Sequence, residues 1–384
     1  MIYVLAFLMN MVTGLMICSN PLVSINRLGA SIFALGAMGS LASGAYSIGC
    51  AFAGRLADRW GAKKMMALGC AIILCLYPMI ILVRELWQMF VFVIVSPLAG
   101  ALFWPALMKH VGEEENKEDL QARVGGFNMA WSAGIMIGPF LGGRLYPIDY
   151  RLAYFLSAGL ILLALVITLL SPRGMEESPL RPPPETTVAA RDPCVKWFIY
   201  IGWLANFSAW FSISSAESLF PKLALTLSVG PKALGALLAC VGLGQFLMFA
   251  LLRKTDRWHY NLPLLISFQV LGMISLIIFK FTSAVPLFAA AFFLLGLCAG
   301  LCYFSSLFYS LYRQEEKGQK SGFHEAILAA AVSIGPLSGG ALARFYGLRT
   351  PYVACFVLFA ISIAAQITLM KARTPKSCPG FERE

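Results

Sequence analysis

The sequence predicts an all-α polytopic membrane protein of twelve transmembrane helices, arranged as two pseudo-symmetric six-helix bundles. Three observations lead there. The 384 residues are 59% hydrophobic and 13% charged, with a mean hydropathy of +0.75; a soluble domain carries about 25% charged residues, so this much apolar surface needs lipid as its solvent. The apolar residues gather into twelve segments, most of them near the roughly 20 residues an α-helix needs to cross the hydrocarbon. The second half of the chain also repeats landmarks of the first at a nearly constant offset.

The segments lie at 1–23, 30–53, 65–83, 86–108, 122–143, 152–170, 197–220, 233–252, 262–281, 286–310, 323–343 and 352–370. None shows the period-two alternation of a barrel strand. The first begins at Met1 with no charged leader and no small-residue cleavage site, and is expected to be a retained span. Between the sixth and seventh lies SPRGMEESPLRPPPETTVAARDPCVK, whose prolines and mixed charges cannot bury a core and read as a linker. The expected division is a bundle at 1–170, a cytoplasmic linker at 171–196, a second bundle at 197–371 and a cytoplasmic tail at 372–384.

The net charge of +11 follows from orientation rather than from nucleic acid. With both termini cytoplasmic, 21 of the 30 Lys and Arg fall on the cytoplasmic side, the positive-inside asymmetry. A bacterial cytoplasmic (inner) membrane is the expected location. The ten cysteines form no CxxC pair and no metal-type spacing with histidine, so neither metal nor cofactor is expected, and the chain is expected to act as a monomer.

The repeat is clearest in the fifth span, GGFNMAWSAGIMIGPFLGG, against the eleventh, GFHEAILAAAVSIGPLSGG. Gly138, Pro139, Gly142 and Gly143 recur as Gly335, Pro336, Gly339 and Gly340, and Gly134 as Ala331. Asp58-Arg59-Trp60 recurs as Asp256-Arg257-Trp258, Asn10 as Asn206, and Ala99-Gly100 as Ala299-Gly300. Duplicated six-span units imply a two-fold axis along the membrane normal and a central interface that can open to either side. The small residues allow close helix approach and the Gly-Pro steps soften the helices.

The charged gap AGRLADRWGAKK resembles the loop signature of the major facilitator superfamily between its second and third helices, carried here by Gly54, Asp58, Arg59, Gly61, Lys63 and Lys64; Ala62 replaces the usual arginine. The second copy lacks the glycines. Bottom-up, Gly54 would give a tight exit from span two, and the cations would anchor the cytoplasmic side. The resemblance implies a conformational latch, with Asp58 facing the first turns of the eleventh helix near Gly322, where helix-end amides favour an anion. The fifth-span glycine pattern is similar to the antiporter motif of drug–proton exchangers in that family. Many exchangers carry an arginine four residues before a glycine of the fourth helix, where this chain has Ser96 before Gly100.

Ionisable residues within spans are costly and therefore functional candidates. Glu325, the adjacent His324, and Glu217 are candidates for coupling, Glu325 also for substrate binding. Its repeat mate is Asn128. Asn10, Asn206, Gln245, Trp104 and Tyr303 complete the expected substrate-binding set, a cavity rich in aromatic rings and poor in fixed charge. There is no nucleotide-binding G-x-x-x-x-G-K-[ST] run and no constellation of an enzyme. The expected function is secondary active transport of a small organic solute by alternating access, with efflux of an amphipathic compound, coupled to protons, ahead of uptake of a metabolite by symport or uniport. A sensor or assembly factor on the same fold is the reading from another class.

Overall fold

The structure, a computed structural model, describes residues 1–109, 117–171, 193–311 and 317–373. For residues 54, 55, 57, 58, 108, 109, 117–120, 193–196, 311, 317–319, 321, 372 and 373 it describes the backbone alone. Twelve α-helices follow one another: α1 (Ile2–Leu28), α2 (Ile32–Trp60), α3 (Ala62–Leu76, continued by a 3₁₀ stretch, Tyr77–Leu82), α4 (Leu86–Lys109), α5 (Lys117–Leu145), α6 (Leu152–Leu170), α7 (Pro193–Thr226), α8 (Pro231–Leu252), α9 (Leu262–Phe281), α10 (Val285–Leu311), α11 (Lys317–Tyr346) and α12 (Thr350–Arg373). No strand occurs among the described residues.

Eleven of these helices are long and apolar enough to span a membrane among the described residues. The exception is α7, whose middle is rich in serine. Ser208, Ser212, Ser214 and Ser215 all turn their hydroxyls back onto carbonyls of their own helix, at Leu204, Ser208 and Phe211, which satisfies each donor where water is absent. The helix also runs on through Pro221 to Thr226, so Glu217 lies well inside it rather than in the closing turn that the sequence suggested.

Two large apolar cores form among the described residues, beside a small cluster of Ile25, Ala30 and Leu35. One draws its buried residues from α1 to α6, the other from α7 to α12 with Cys18 and Leu22 of α1 added. The duplication is visible in how the helices touch. On α5, Gly138 lies against the backbone of Met11, Gly14 and Leu15; on α11, Gly335 lies against Phe211, Ser214 and Ser215. The glycines are 197 residues apart and their partners 200 apart, so α1·α5 and α7·α11 are the same crossing built twice. Between the two sets of helices the relation is reciprocal. Gly235 of α8 sits under the carbonyl of Pro139 and beside Gly143 of α5, and Gly36 of α2 sits under the carbonyl of Pro336 and beside Gly340 of α11. Each seam admits no Cβ, which is what lets backbones approach so closely.

Two expectations change here. The helix does not exit at Gly54, because α2 continues to Trp60 and the chain breaks at Gly61 alone, with φ 86° and ψ 144°. That backbone region is essentially open only to glycine. The repeated Asp-Arg-Trp triplets also fold differently. Trp60 ends a helix and is exposed, whereas Trp258 lies in the turn after α8, is buried, and donates its indole N–H to the Leu252 carbonyl.

Candidate functional site

At the meeting of the two sets of helices, aromatic rings form a chain. Trp131 of α5 meets Trp210 of α7 with ring centroids 6.0 Å apart, Trp210 meets Tyr303 of α10 at 5.8 Å, and Tyr303 meets the His324 ring of α11 at 5.2 Å. Tyr303 and His324 were named from the sequence; the Trp131–Trp210 contact joins the two sets. Trp104 lies apart from them, edge-on to Phe127 at 6.3 Å within the first six helices.

The amides behave differently from an open cavity lining. Asn10, Asn128, Asn206 and Gln245 are all buried. Yet Asn10 Nδ2, Asn128 Nδ2, both side-chain polar atoms of Asn206, and Gln245 Oε1 find no hydrogen-bond partner among the described residues, as does Trp210 Nε1. An unpaired buried polar group costs roughly 1–3 kcal/mol, so these buried amides and the indole carry hydrogen-bonding capacity that no described residue uses. Asn10 and Asn206 are not equivalent positions of the duplicated crossing. Asn10 lies beside Gly134, and the register of the duplicated crossing, 200 positions in α7, makes Trp210 its counterpart. The 196-residue match in sequence was a coincidence of type, one helical turn out of place.

His324 and Glu325 divide their roles. The imidazole is fully buried, with Nδ1 2.8 Å from Ser306 Oγ of α10, while Nε2 lies 3.8 Å from Glu325 Oε1. The Glu325 side chain is 54% exposed. Across the interface, Tyr46 and Cys50 of α2 lie within electrostatic reach of this carboxylate, as does Tyr303. Sequence reasoning missed Tyr46 and Cys50. Their signal was available, as the lone tyrosine and lone cysteine of a span otherwise made mostly of glycine, alanine, serine and aliphatic residues. Glu217, half-buried on α7, is separate from this group; its neighbour Ser218 meets α2 at Gly39.

The latch residues are only partly visible. At Gly54 and Asp58 only the helical backbone is described, and the Asp58 side chain lies outside the described residues. Arg59 is exposed. Lys63 donates to the Ser171 carbonyl at 2.8 Å, so it fastens the start of α3 to the end of α6, within the first six helices. Ser96, at the place where exchangers carry arginine, shares a 2.9 Å hydrogen bond with Tyr77. The packing glycines stand as described, Gly142 against Cys18 and Ser19, and Gly339 against Leu219. Among the described residues no group of His, Cys, Asp and Glu could hold a metal ion.

A duplicated helical membrane protein whose two parts meet at glycine seams, with buried amides unpaired among the described residues and the Glu325 carboxylate within electrostatic reach of both parts, has the build of a carrier. Family comparison agrees. The model of the Major Facilitator Superfamily matches residues 2–312 and 202–384, and the chain belongs to that family, whose members are not enzymes. It is 25% identical over 348 residues to an uncharacterized MFS-type transporter, YfiS, of Bacillus subtilis (strain 168), covering 84% of this chain and 81% of YfiS. It is also 25% identical over 346 residues to the multidrug resistance protein MdtG of Escherichia fergusonii, covering 86% and 83%. Among solved structures, a bacterial homologue of the human lysosomal transporter Spinster, inward-facing and unoccupied, superposes with a TM-score of 0.70 at 13% identity over 98% of this chain and 97% of that one. The nucleoside transporter NupG gives 0.69 at 12% over 96% and 98%. At those identities the structures speak for the fold.

Proposed function

We propose that the protein exports a small amphipathic organic solute, driven by protons, through alternating exposure of the interface between residues 1–170 and 197–371. The carrying observation is the half-exposed Glu325 carboxylate, set beside Tyr303 and facing Tyr46 and Cys50 of the other set of helices. A carboxylate in that position binds a proton or a solute, and its attraction for either depends on how near α2 lies, so occupancy and conformation are linked. The aromatic chain from Trp131 to Tyr303 offers flat apolar faces to the solute, and the unpaired amides of Asn10, Asn128 and Asn206 offer hydrogen bonds. Gln245 adds an acceptor. His324, held by Ser306, fixes the ring beside Glu325 and positions it.

The multidrug resistance relatives support export. The basic bias of the loops supports cytoplasmic termini and a bacterial inner membrane. Asp58, Arg59 and Lys63 are assigned to closure of the cytoplasmic side, and one chain to the working unit.

The test is reconstitution into proteoliposomes with a proton gradient of either sign and a fluorescent lipophilic solute. The wild-type protein is expected to move solute against its gradient as protons run down theirs, and Glu325→Gln to retain downhill exchange while losing uphill movement. Uphill flux of a polar metabolite in the direction of the proton gradient would replace export by uptake. Absence of flux for every solute and gradient would leave the sensor reading.

A further inference from the structure

Two serines one turn apart on α10 spend their hydroxyls differently. Ser310 donates to the Ser306 carbonyl of its own helix at 2.8 Å and accepts the Trp203 indole N–H at 3.0 Å. Ser306 is fully buried, yet its hydroxyl does not turn back onto α10. Its one hydrogen-bond partner among the described residues is His324 Nδ1 of α11, at 2.8 Å. Both groups are held in place. Gly202 of α7 packs against Ser306, where a Cβ would come within 3.2 Å of the serine Cα, and Tyr303 meets the imidazole edge-on at 5.2 Å.

The direction of the Ser306–His324 bond decides which ring nitrogen carries hydrogen. The imidazole has no exposed surface, and Glu325 Oε1, 3.8 Å from Nε2, is beyond hydrogen-bond distance. Charging the ring would cost its hydration without a bonded partner in return, so it is neutral, with one N–H and one bare nitrogen. A proton on Nδ1 would be donated to Ser306, stranding the buried hydroxyl hydrogen. It would also turn the bare Nε2 lone pair towards the Glu325 carboxylate. With Ser306 as donor both faults vanish: the hydroxyl hydrogen goes to Nδ1, and the ring's own hydrogen sits on Nε2, the nitrogen nearest Glu325.

We infer that Ser306 locks His324 in its Nε2–H tautomer, which makes the imidazole a neutral donor reserved for Glu325 and a positioning residue rather than a proton carrier. The inference deepens the reading of Glu325 as the coupling carboxylate and, for its role in transport, rests on it. Nδ1, the nitrogen that could take up a proton, is occupied by the serine hydroxyl, so a proton reaching this place goes to the carboxylate. The N–H attracts Glu325 while it is ionised and loses most of that hold once the carboxyl is protonated or paired with a solute. The carboxyl is then free to move towards the other groups within its electrostatic reach, Tyr303 of α10 and Tyr46 and Cys50 of α2. Release from the histidine thus follows occupancy, as a coupled carrier requires.

Solid-state NMR of the full-length protein in liposomes at neutral pH, with nitrogen-15 in its three histidines, tests the tautomer without reference to transport. The resonances lost in His324→Gln identify the ring. In the wild type, Nε2 is expected to be protonated and Nδ1 bare and hydrogen-bonded. Ser306→Ala should shift the Nδ1 resonance, and Glu325→Gln should shift Nε2 while leaving Nδ1 in place. A proton on Nδ1 in the wild-type protein, a doubly protonated ring, or an Nε2 resonance indifferent to Glu325→Gln would each overturn the assignment. The positioning role is read separately in proteoliposomes. His324→Gln, whose amide N–H reaches the place of Nε2, should keep uphill movement of solute. His324→Asn, whose amide reaches only the place of Nδ1, should lose it about ten-fold, the order carried by one hydrogen bond to a charged group, while keeping downhill exchange. Uphill movement intact in His324→Asn would overturn that role. Uphill movement intact in Glu325→Gln would overturn the coupling reading instead, with the tautomer still standing on its spectrum.

Discussion

Gly36 of α2 lies directly beneath the backbone carbonyl of Pro336 on α11, and no side-chain atom could be placed between them. Gly235 and Pro139 repeat the arrangement across the other seam. Gly36→Ala and Gly235→Ala should therefore push the paired helices apart, at a cost of about 1–3 kcal/mol for overpacking. Both are expected to lower the thermal midpoint in detergent and to abolish transport in proteoliposomes. Gly159→Ala, on α6 where a Cβ meets nothing within 4 Å, should leave both unchanged or raise stability slightly through helix propensity. Equal behaviour of the three variants would mean that the seams tolerate separation.

Gly61 and Gly29 both have positive φ, but differ in kind. Gly29 has φ 66° and ψ 27°, the left-handed helical region that asparagine visits. Gly61, at φ 86° and ψ 144°, has no such substitute. Gly29→Asn should be nearly silent, whereas Gly61→Asn should cost about 1–3 kcal/mol and disturb the α2–α3 junction, visible as increased protease cleavage there.

Gln269 of α9 and Gln366 of α12 exchange two amide hydrogen bonds, of 2.9 and 2.8 Å, and Gln366 also donates to Ser362 at 2.9 Å. Both are fully buried. Gln269→Leu leaves Gln366 half satisfied and should cost about 1–3 kcal/mol. Adding Gln366→Leu should recover part of that loss, a coupling readable from a double-mutant cycle of unfolding midpoints. Strict additivity would show that the pair is replaced by other partners.

Trp131→Ala removes the aromatic contact between the two sets of helices and should weaken solute binding by about 0.5–1.5 kcal/mol beyond the lost area. Tryptophan fluorescence titration with the transported solute would measure it. Trp104→Ala, lying away from that chain, should bind as the wild type does.

Much of the fold could be read from the chain because its determinants are local and repetitive. Twelve apolar runs of membrane length and the G-P-x-x-G-G pattern given twice are enough to specify the helices and the crossing of α1 with α5. The seams were legible too, yet passed over. Ala34-Leu35-Gly36-Ala37 and Ala233-Leu234-Gly235-Ala236 are the same four residues 199 positions apart, and they are the partners of the proline carbonyls. Registers were less accessible. Asn10 and Asn206 match as letters, but which residue faces which is set by how α7 is placed against α11, a tertiary quantity no single segment encodes. The extension of α2 through Gly54 has the same origin, since a glycine inside a helix is tolerated when neighbouring helices hold it. Tyr46 and Cys50 stand out in their span by type, but the carboxylate they lie near could be named only once α2 was laid beside Glu325.

The serines of α7 have a consequence for how the protein is made. A segment that is inserted by partitioning enters the bilayer according to its own apolarity, and α7 is the helix among those described that falls short. Its entry is expected to depend on company, with α8 emerging behind it and the earlier helices already in place to receive it. A chain truncated just after Thr226 should then leave α7 on the ribosome's side of the membrane, and one extended through Leu252 should carry it across.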